Sequence, residues 1–197
     1  MEHDSRSRGE QARAIAKKLN LEPIPVEGGY YASTFRSPDT IESPTRLGGG
    51  SRKVASTIYF MLYKDFNTMH RMRTNEIWCY HGGATLTLYE LKNDGTLITH
   101  KLGNVLEAKE NQPQVVIEAF SWMAAELTNE NDYVLVTCCV APGWEPTDYE
   151  FANLNDMCAK YPEHKDLFTR LIRVKANSTE TDMDYQSPPL YLKMGQS

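Results

Sequence analysis

His70 and Glu76 stand six positions apart in the stretch HRMRTNEIWCYHGG, residues 70–83. Their chemistry is the easiest in the chain to state. An imidazole titrates near neutral pH and can take or give a proton. A carboxylate at Glu76, with Ile77 and Trp78 directly after it, can orient His70 or touch a ligand. The plainer reading is a buried histidine satisfied by a nearby carboxylate. Glu27 precedes Gly28-Gly29-Tyr30, and paired glycines let a ligand approach closely, although a plain turn needs the same residues. Arg36 offers a planar fork for an anion, or one half of a surface salt bridge. Tyr59, Trp78, Trp122 and Tyr133 can wall a pocket for a sugar or a flat ring, or serve as ordinary core. Gln114 can donate a hydrogen bond inward. Asp148 and Glu150 alternate with Tyr149 and Phe151, which puts both acids on one face, by default a solvated one.

Something must hold these residues in place. Ala12, Ile15, Ala16 and Leu19 fall on one face of a helix over 9–19, which Asn20 ends. Residues 37–53 are rich in Ser, Pro and Gly and read as a long surface loop able to cover a pocket. Gly48 to Gly50 lack the ending of a phosphate-binding loop, and no helix follows. From Val54 to Val140 the chain reads as at least six short strands. IWCYH, Gly82-Gly83 and ATLTLYEL form strand, tight turn and strand, and Asn93-Asp94-Gly95 marks a hairpin. Such a run predicts a β-sandwich or barrel. Leu154, Met157, Cys158 and Tyr161, then Leu167, Phe168, Leu171 and Ile172, form two helical stripes. The organisation expected is a helical lead over 1–20, a β domain over 21–153, helices packed on it over 154–175, and a flexible tail or extended arm over 176–197.

Bulk properties narrow the function. A chain of 197 residues fits one domain. No run approaches the ~18 apolar residues that cross a bilayer, and the first ten residues lack a secretory core. Cys79, Cys138, Cys139 and Cys158 include no CxxC pair, so a reducing, cytoplasmic setting is expected. A net charge of −5 argues against nucleic acid.

His70, Glu76 and Gly83 resemble half of the first cupin motif, G-x5-H-x-H-x(3,4)-E-x6-G, whose two His and Glu hold a metal inside the barrel. The second His position is Met72 and the leading Gly is Lys64. In the second motif, G-x5-P-x-G-x2-H-x3-N, the corresponding residues are Glu118, Phe120, Met123 and Leu127. Two ligands, His70 and Glu76, do not make a zinc or iron site, so no cofactor is expected. Five blocks make the chain similar to the cupin-5 family: 27–37, 56–62, 66–83, 114–126 and 138–152. Ala32-Ser33 departs from that family's usual Arg-Glu. The resemblance implies a mainly β cupin jelly roll, commonly a dimer, with no established activity. Three functions follow as expectations. One is a cytoplasmic homodimer that binds an unknown small molecule inside the jelly roll, through His70, Glu76, Glu27, Arg36, Tyr59, Trp78, Gln114 and Trp122. The second is a metal-independent sugar-type isomerase or epimerase with His70 as base and Tyr133 as acid. The third is a dimeric interaction scaffold.

Overall fold

The computed structural model describes residues 7–174. Helix α1 (Arg8–Leu19) opens with a capping box, in which Ser7 and Glu10 satisfy each other's backbone N–H, and closes at Asn20 with φ 53°. Strands follow in order: β1 (Glu22–Pro23), β2 (Tyr30–Arg36), β3 (Thr40–Glu42), β4 (Ser51–Lys53), β5 (Ser56–Tyr63), β6 (Asn67–Met72) and β7 (Glu76–Gly83). Then come β8 (Leu86–Leu91), β9 (Leu97–Leu102), β10 (Asn111–Gln112), β11 (Gln114–Ile117), β12 (Trp122–Leu127), β13 (Tyr133–Val140) and β14 (Tyr149–Phe151). Helices α2 (Leu154–Lys160) and α3 (Lys165–Leu171) end the described chain.

Two six-stranded sheets face each other, ordered β1-β2-β5-β13-β7-β11 and β10-β9-β8-β12-β6-β14. Alternation dictates the layers. In β13, Val134, Val136, Cys138 and Val140 are buried inward, while Tyr133, Leu135, Thr137 and Cys139 face outward and are half-buried. The inward set meets Leu86, Leu88, Met123 and Met72 of the opposite sheet to form the main core. The outer face of the second sheet is also apolar, and α2 and α3 cover it. Met69, Leu91, Trp122 and Ala124 pack there against Met157, Phe168 and Leu171. The architecture is the expected mainly β jelly roll with short helices.

Two local readings of the sequence change. The run through Gly82-Gly83 is no hairpin, because β7 and β8 belong to different sheets. Gly83, at φ 98°, lies so close to β13 that a Cβ would come within 2.1 Å of the Tyr133 carbonyl, and the chain crosses between sheets there. The Asn93-Asp94-Gly95 turn does join neighbours, β8 and β9. Residues 37–53 are not an open loop. Strands β3 and β4 pair within them, and Arg52 anchors the hairpin by a double hydrogen bond to Asp148, at 2.7 and 2.6 Å. Asp148 is therefore buried rather than solvated, and Glu150 alone keeps the exposed position, where it meets Arg71. The stretch expected as a tail, 176–197, lies outside the described residues.

Candidate functional site

Strand β6 carries a register irregularity against β12, where the two residues between Asn67 and His70 face the one residue between Ala125 and Met123. Such a bulge lets side chains on either side of it share a face. Thr68 and Met69 turn toward the C-terminal helices, Thr68 by a bond to the Leu171 carbonyl, while Asn67 and His70 turn inward. Glu76 opens β7 on the opposite sheet, so His70 and Glu76 face the same interior from two sides. They do not pair with each other. Between them lies a cavity of about 170 Å³.

Glu27 reaches this cavity from the turn between β1 and β2. Gly28 makes the approach possible, since a Cβ there would sit 2.2 Å from the Phe66 carbonyl and its φ is 91°. The Gly29 N–H bonds to Asp65, which is held in turn by Arg173. Glu27 Oε1 accepts from Asn67 Nδ2 at 2.8 Å, and the Glu27 carbonyl accepts the Thr68 N–H. Tyr31, Cys138, Trp144 and Tyr149 complete the wall, with Tyr149 stacked on the His70 ring at 4.6 Å between centroids. Arg36 stands at the rim and pairs with Glu145 at 2.5 Å.

Protonation follows from these contacts. A carbonyl can only accept, so the 2.8 Å contact of His70 Nδ1 with the Thr68 carbonyl puts the proton on Nδ1. In the neutral ring Nε2 is then the lone-pair acceptor. Burial pushes the His70 pKa down, against Glu27 and the Thr68 bond, which raise it. Burial pushes Glu76 up to about 8, and Glu27 adds to the rise. The Trp78 indole and the Cys138 thiol oppose that rise, yet neither Glu76 Oε2 nor Trp78 Nε1 completes a hydrogen bond. The Cys138 thiol is raised well above its usual value by burial, so it holds its proton at neutral pH and is a poor nucleophile. The cavity therefore holds a neutral base and a protonated acid.

Of the residues singled out from sequence, Glu27, Arg36, His70 and Glu76 line this cavity. The others lie elsewhere. Trp78 is core, edge-on to Phe60 at 5.5 Å. Trp122 lies under the C-terminal helices with Arg71 over its ring. Tyr59 is on the outer face against His81, and Gln114 is exposed on the edge strand β11. Tyr133 is not brought to His70. It points outward at the far end of β13, seven residues from Val140, the residue that pairs with Glu76. At ~3.3 Å per residue that is roughly 23 Å. A His70–Tyr133 base and acid pair is not available in this geometry. Nor do residues 37–53 line the cavity. They buttress the 144–149 segment that does. Cys138 and Tyr149 also line the cavity, and neither an inward cysteine nor a stacking partner leaves a spacing signal.

The fold implies a metal, and the residues here do not fit one. Met72 and Met123 occupy the positions where metal-holding cupins have His, and both are packed into the main core. His70 Nδ1 is engaged by a backbone carbonyl. Among the described residues no three His, Cys, Asp or Glu side chains converge as ligands.

The family model for Cupin_5, described as cupin superfamily (DUF985), matches residues 13–152. A crystal structure of a protein from Shewanella oneidensis is 32% identical over 82% of this chain and 97% of its own, with a TM-score of 0.73. A hypothetical protein from Leishmania major is 24% identical over 83% and 99%, with a TM-score of 0.76. None of the curated proteins matches the chain. Among the described residues no helix is long and apolar enough to cross a membrane. The jelly roll, the half-kept cupin motif and the matched span agree, and the chain belongs to the Cupin_5 (DUF985) family of the cupin superfamily.

Proposed function

We propose that this protein binds a small, polar, ring-sized molecule in the cavity between its sheets. The observation that carries the reading is an unsatisfied carboxyl in the cavity wall. Glu76 lines the cavity, and its Oε2 is buried without a hydrogen-bond partner. Such an atom costs about 1–3 kcal/mol when nothing meets it, and native cores keep few like it. A ligand bearing hydroxyl or carbonyl groups would satisfy Glu76. The cavity volume, about 170 Å³, is close to the ~150 Å³ that admits a benzene-sized guest. The test is native mass spectrometry of the purified chain, followed by thermal shifts with a panel of small hydroxylated compounds. A retained adduct that His70→Ala abolishes supports the reading. No adduct and no shift from any compound removes it.

A second reading, that two copies associate, is favoured by exposed apolar side chains beside an open strand edge. Phe35, Ile41 and Val54 are each more than a third exposed, and β1 covers only the first residues of β2. Exposed edges invite pairing. Sedimentation equilibrium giving a dimer at micromolar concentration supports it, and a clean monomer removes it.

A further inference from the structure

His70 Nε2 is an acceptor because the other ring nitrogen is held by the Thr68 carbonyl. The Glu76 carboxyl faces the same cavity from the opposite sheet and has no partner for Oε2. One group is built to take a proton and the other to give one, with a ring-sized space between. We propose that the cavity is a proton-transfer site with His70 as base and Glu76 as acid, acting on a small uncharged hydroxy-ketone or hydroxy-aldehyde. The proposal rests on the reading that the cavity takes a small polar molecule.

The chemical class follows from the lining. An anionic substrate would meet the Glu27 carboxyl inside and find Arg36 already engaged by Glu145 and the Trp144 carbonyl. A cation would find Glu27 Oε1 already accepting from Asn67 Nδ2 and the Glu76 carboxyl uncharged at neutral pH. A carbonyl oxygen suits the Glu76 O–H, whose Oε2 has no partner, and a neighbouring hydroxyl suits the Glu27 carboxyl on the same wall.

The step balances without a co-reactant. His70 Nε2 takes a proton from the carbon next to the carbonyl. The C–H electron pair becomes the new C=C bond, and the carbonyl π pair moves onto oxygen, which takes the Glu76 proton. An enediol results, with an imidazolium and a carboxylate beside it. The imidazolium then returns its proton to the other carbon, and Glu76 takes the proton of the other hydroxyl, which yields the isomeric carbonyl compound. The site is arranged for the charged pair as well. Glu27 and the Thr68 carbonyl favour the imidazolium, and the Trp78 N–H and Cys138 thiol favour the carboxylate. Fixed dipoles waiting for charge that develops during reaction are the usual source of large rate effects.

The experiment uses the full chain in D₂O with dihydroxyacetone or erythrulose, and proton NMR follows exchange of the hydrogens next to the carbonyl. Wild type is expected to exchange them. His70→Gln and Glu76→Gln should be slower by about 100-fold or more, while Tyr133→Phe keeps the wild-type rate. Circular dichroism checks that each variant is folded, and if His70→Gln is not, Glu76→Gln carries the test. Wild-type exchange no faster than that of the folded variants, with both probes, overturns the proposal. Exchange that survives in Glu76→Gln overturns Glu76 as the acid. Native mass spectrometry of the same mixtures separates the two readings. An adduct without exchange removes the chemistry and leaves the binding site, whereas neither adduct nor exchange removes both.

Discussion

Arg52 and Asp148 meet through two hydrogen bonds of 2.7 and 2.6 Å, with side chains 5% and 0% exposed. His70 and Glu76, 2% and 9% exposed, are nearly as buried, yet they touch neither each other nor a full set of partners. Tyr149 links the two regions, following Asp148 in the chain and stacking on His70. Asp148 also accepts the Glu145 N–H, so its oxygens are fully used. The difference separates structure from chemistry. A closed pair fixes the hairpin against the 144–149 segment and gives the fold its shape. An open pair offers its unused atoms to whatever enters the cavity.

Arg52→Ala should have the largest effect, because it strands Asp148 in a dry site. Loss of one partner of a buried pair costs about 3–5 kcal/mol, measurable by denaturant titration at pH 7. A loss under about 1 kcal/mol would mean that the hairpin is not held as described. Glu76→Gln should go the other way at high pH. The Glu76 pKa is raised to about 8, above its unfolded value. Below about pH 4 the folded and unfolded chains both carry the proton, and the site costs nothing. Between about 4 and 8 only the unfolded chain ionises, so stability falls as pH rises, and above about 8 the loss is complete. Glutamine cannot ionise, so the variant should be more stable than wild type by a few kcal/mol at pH 9. That advantage should disappear by pH 4. Equal melting curves across this range would show that Glu76 is not protonated in its cavity.

His70→Ala should cost only about 1 kcal/mol, since it loses one bond to a backbone carbonyl and leaves no charge behind. Its pH signature has the opposite sign to that of Glu76. Burial lowers the His70 pKa, so stability is full above the unfolded value near 6.5 and declines as pH falls below it. The variant should lose part of that acid sensitivity in thermal melts. A loss of several kcal/mol at pH 7 would mark His70 as structural. The smallest effects belong to the outward residues. Tyr133→Phe and Gln114→Ala should stay within about 0.5 kcal/mol of wild type and leave ligand binding in thermal-shift titrations unchanged. A binding defect in either would contradict its placement outside the cavity.

The strands, their alternation, the first helix and the two apolar C-terminal stripes were legible in the chain because each follows from local periodicity. Asn20 and Asn93-Asp94-Gly95 act over a few residues, and the order and spacing of five blocks carried the family. His70, Glu76 and Glu27 could be picked out from equally local signals: the motif spacing of His70 and Glu76, the apolar strand after Glu76, and the paired glycines after Glu27. What a linear reading could not see was which strands face each other. Only the crossing between sheets over residues 73–75 sets β7 against β6 and turns six positions of sequence into two walls of one cavity. Only the register of β13 carries Tyr133 about 23 Å from the site, and only the bulge in β6 brings Asn67 in with His70. The Arg52–Asp148 pair joins residues 96 positions apart, so no spacing rule announces it. Local chemistry fixes the elements, while long-range packing decides which atoms are left without partners, and here those atoms define the site.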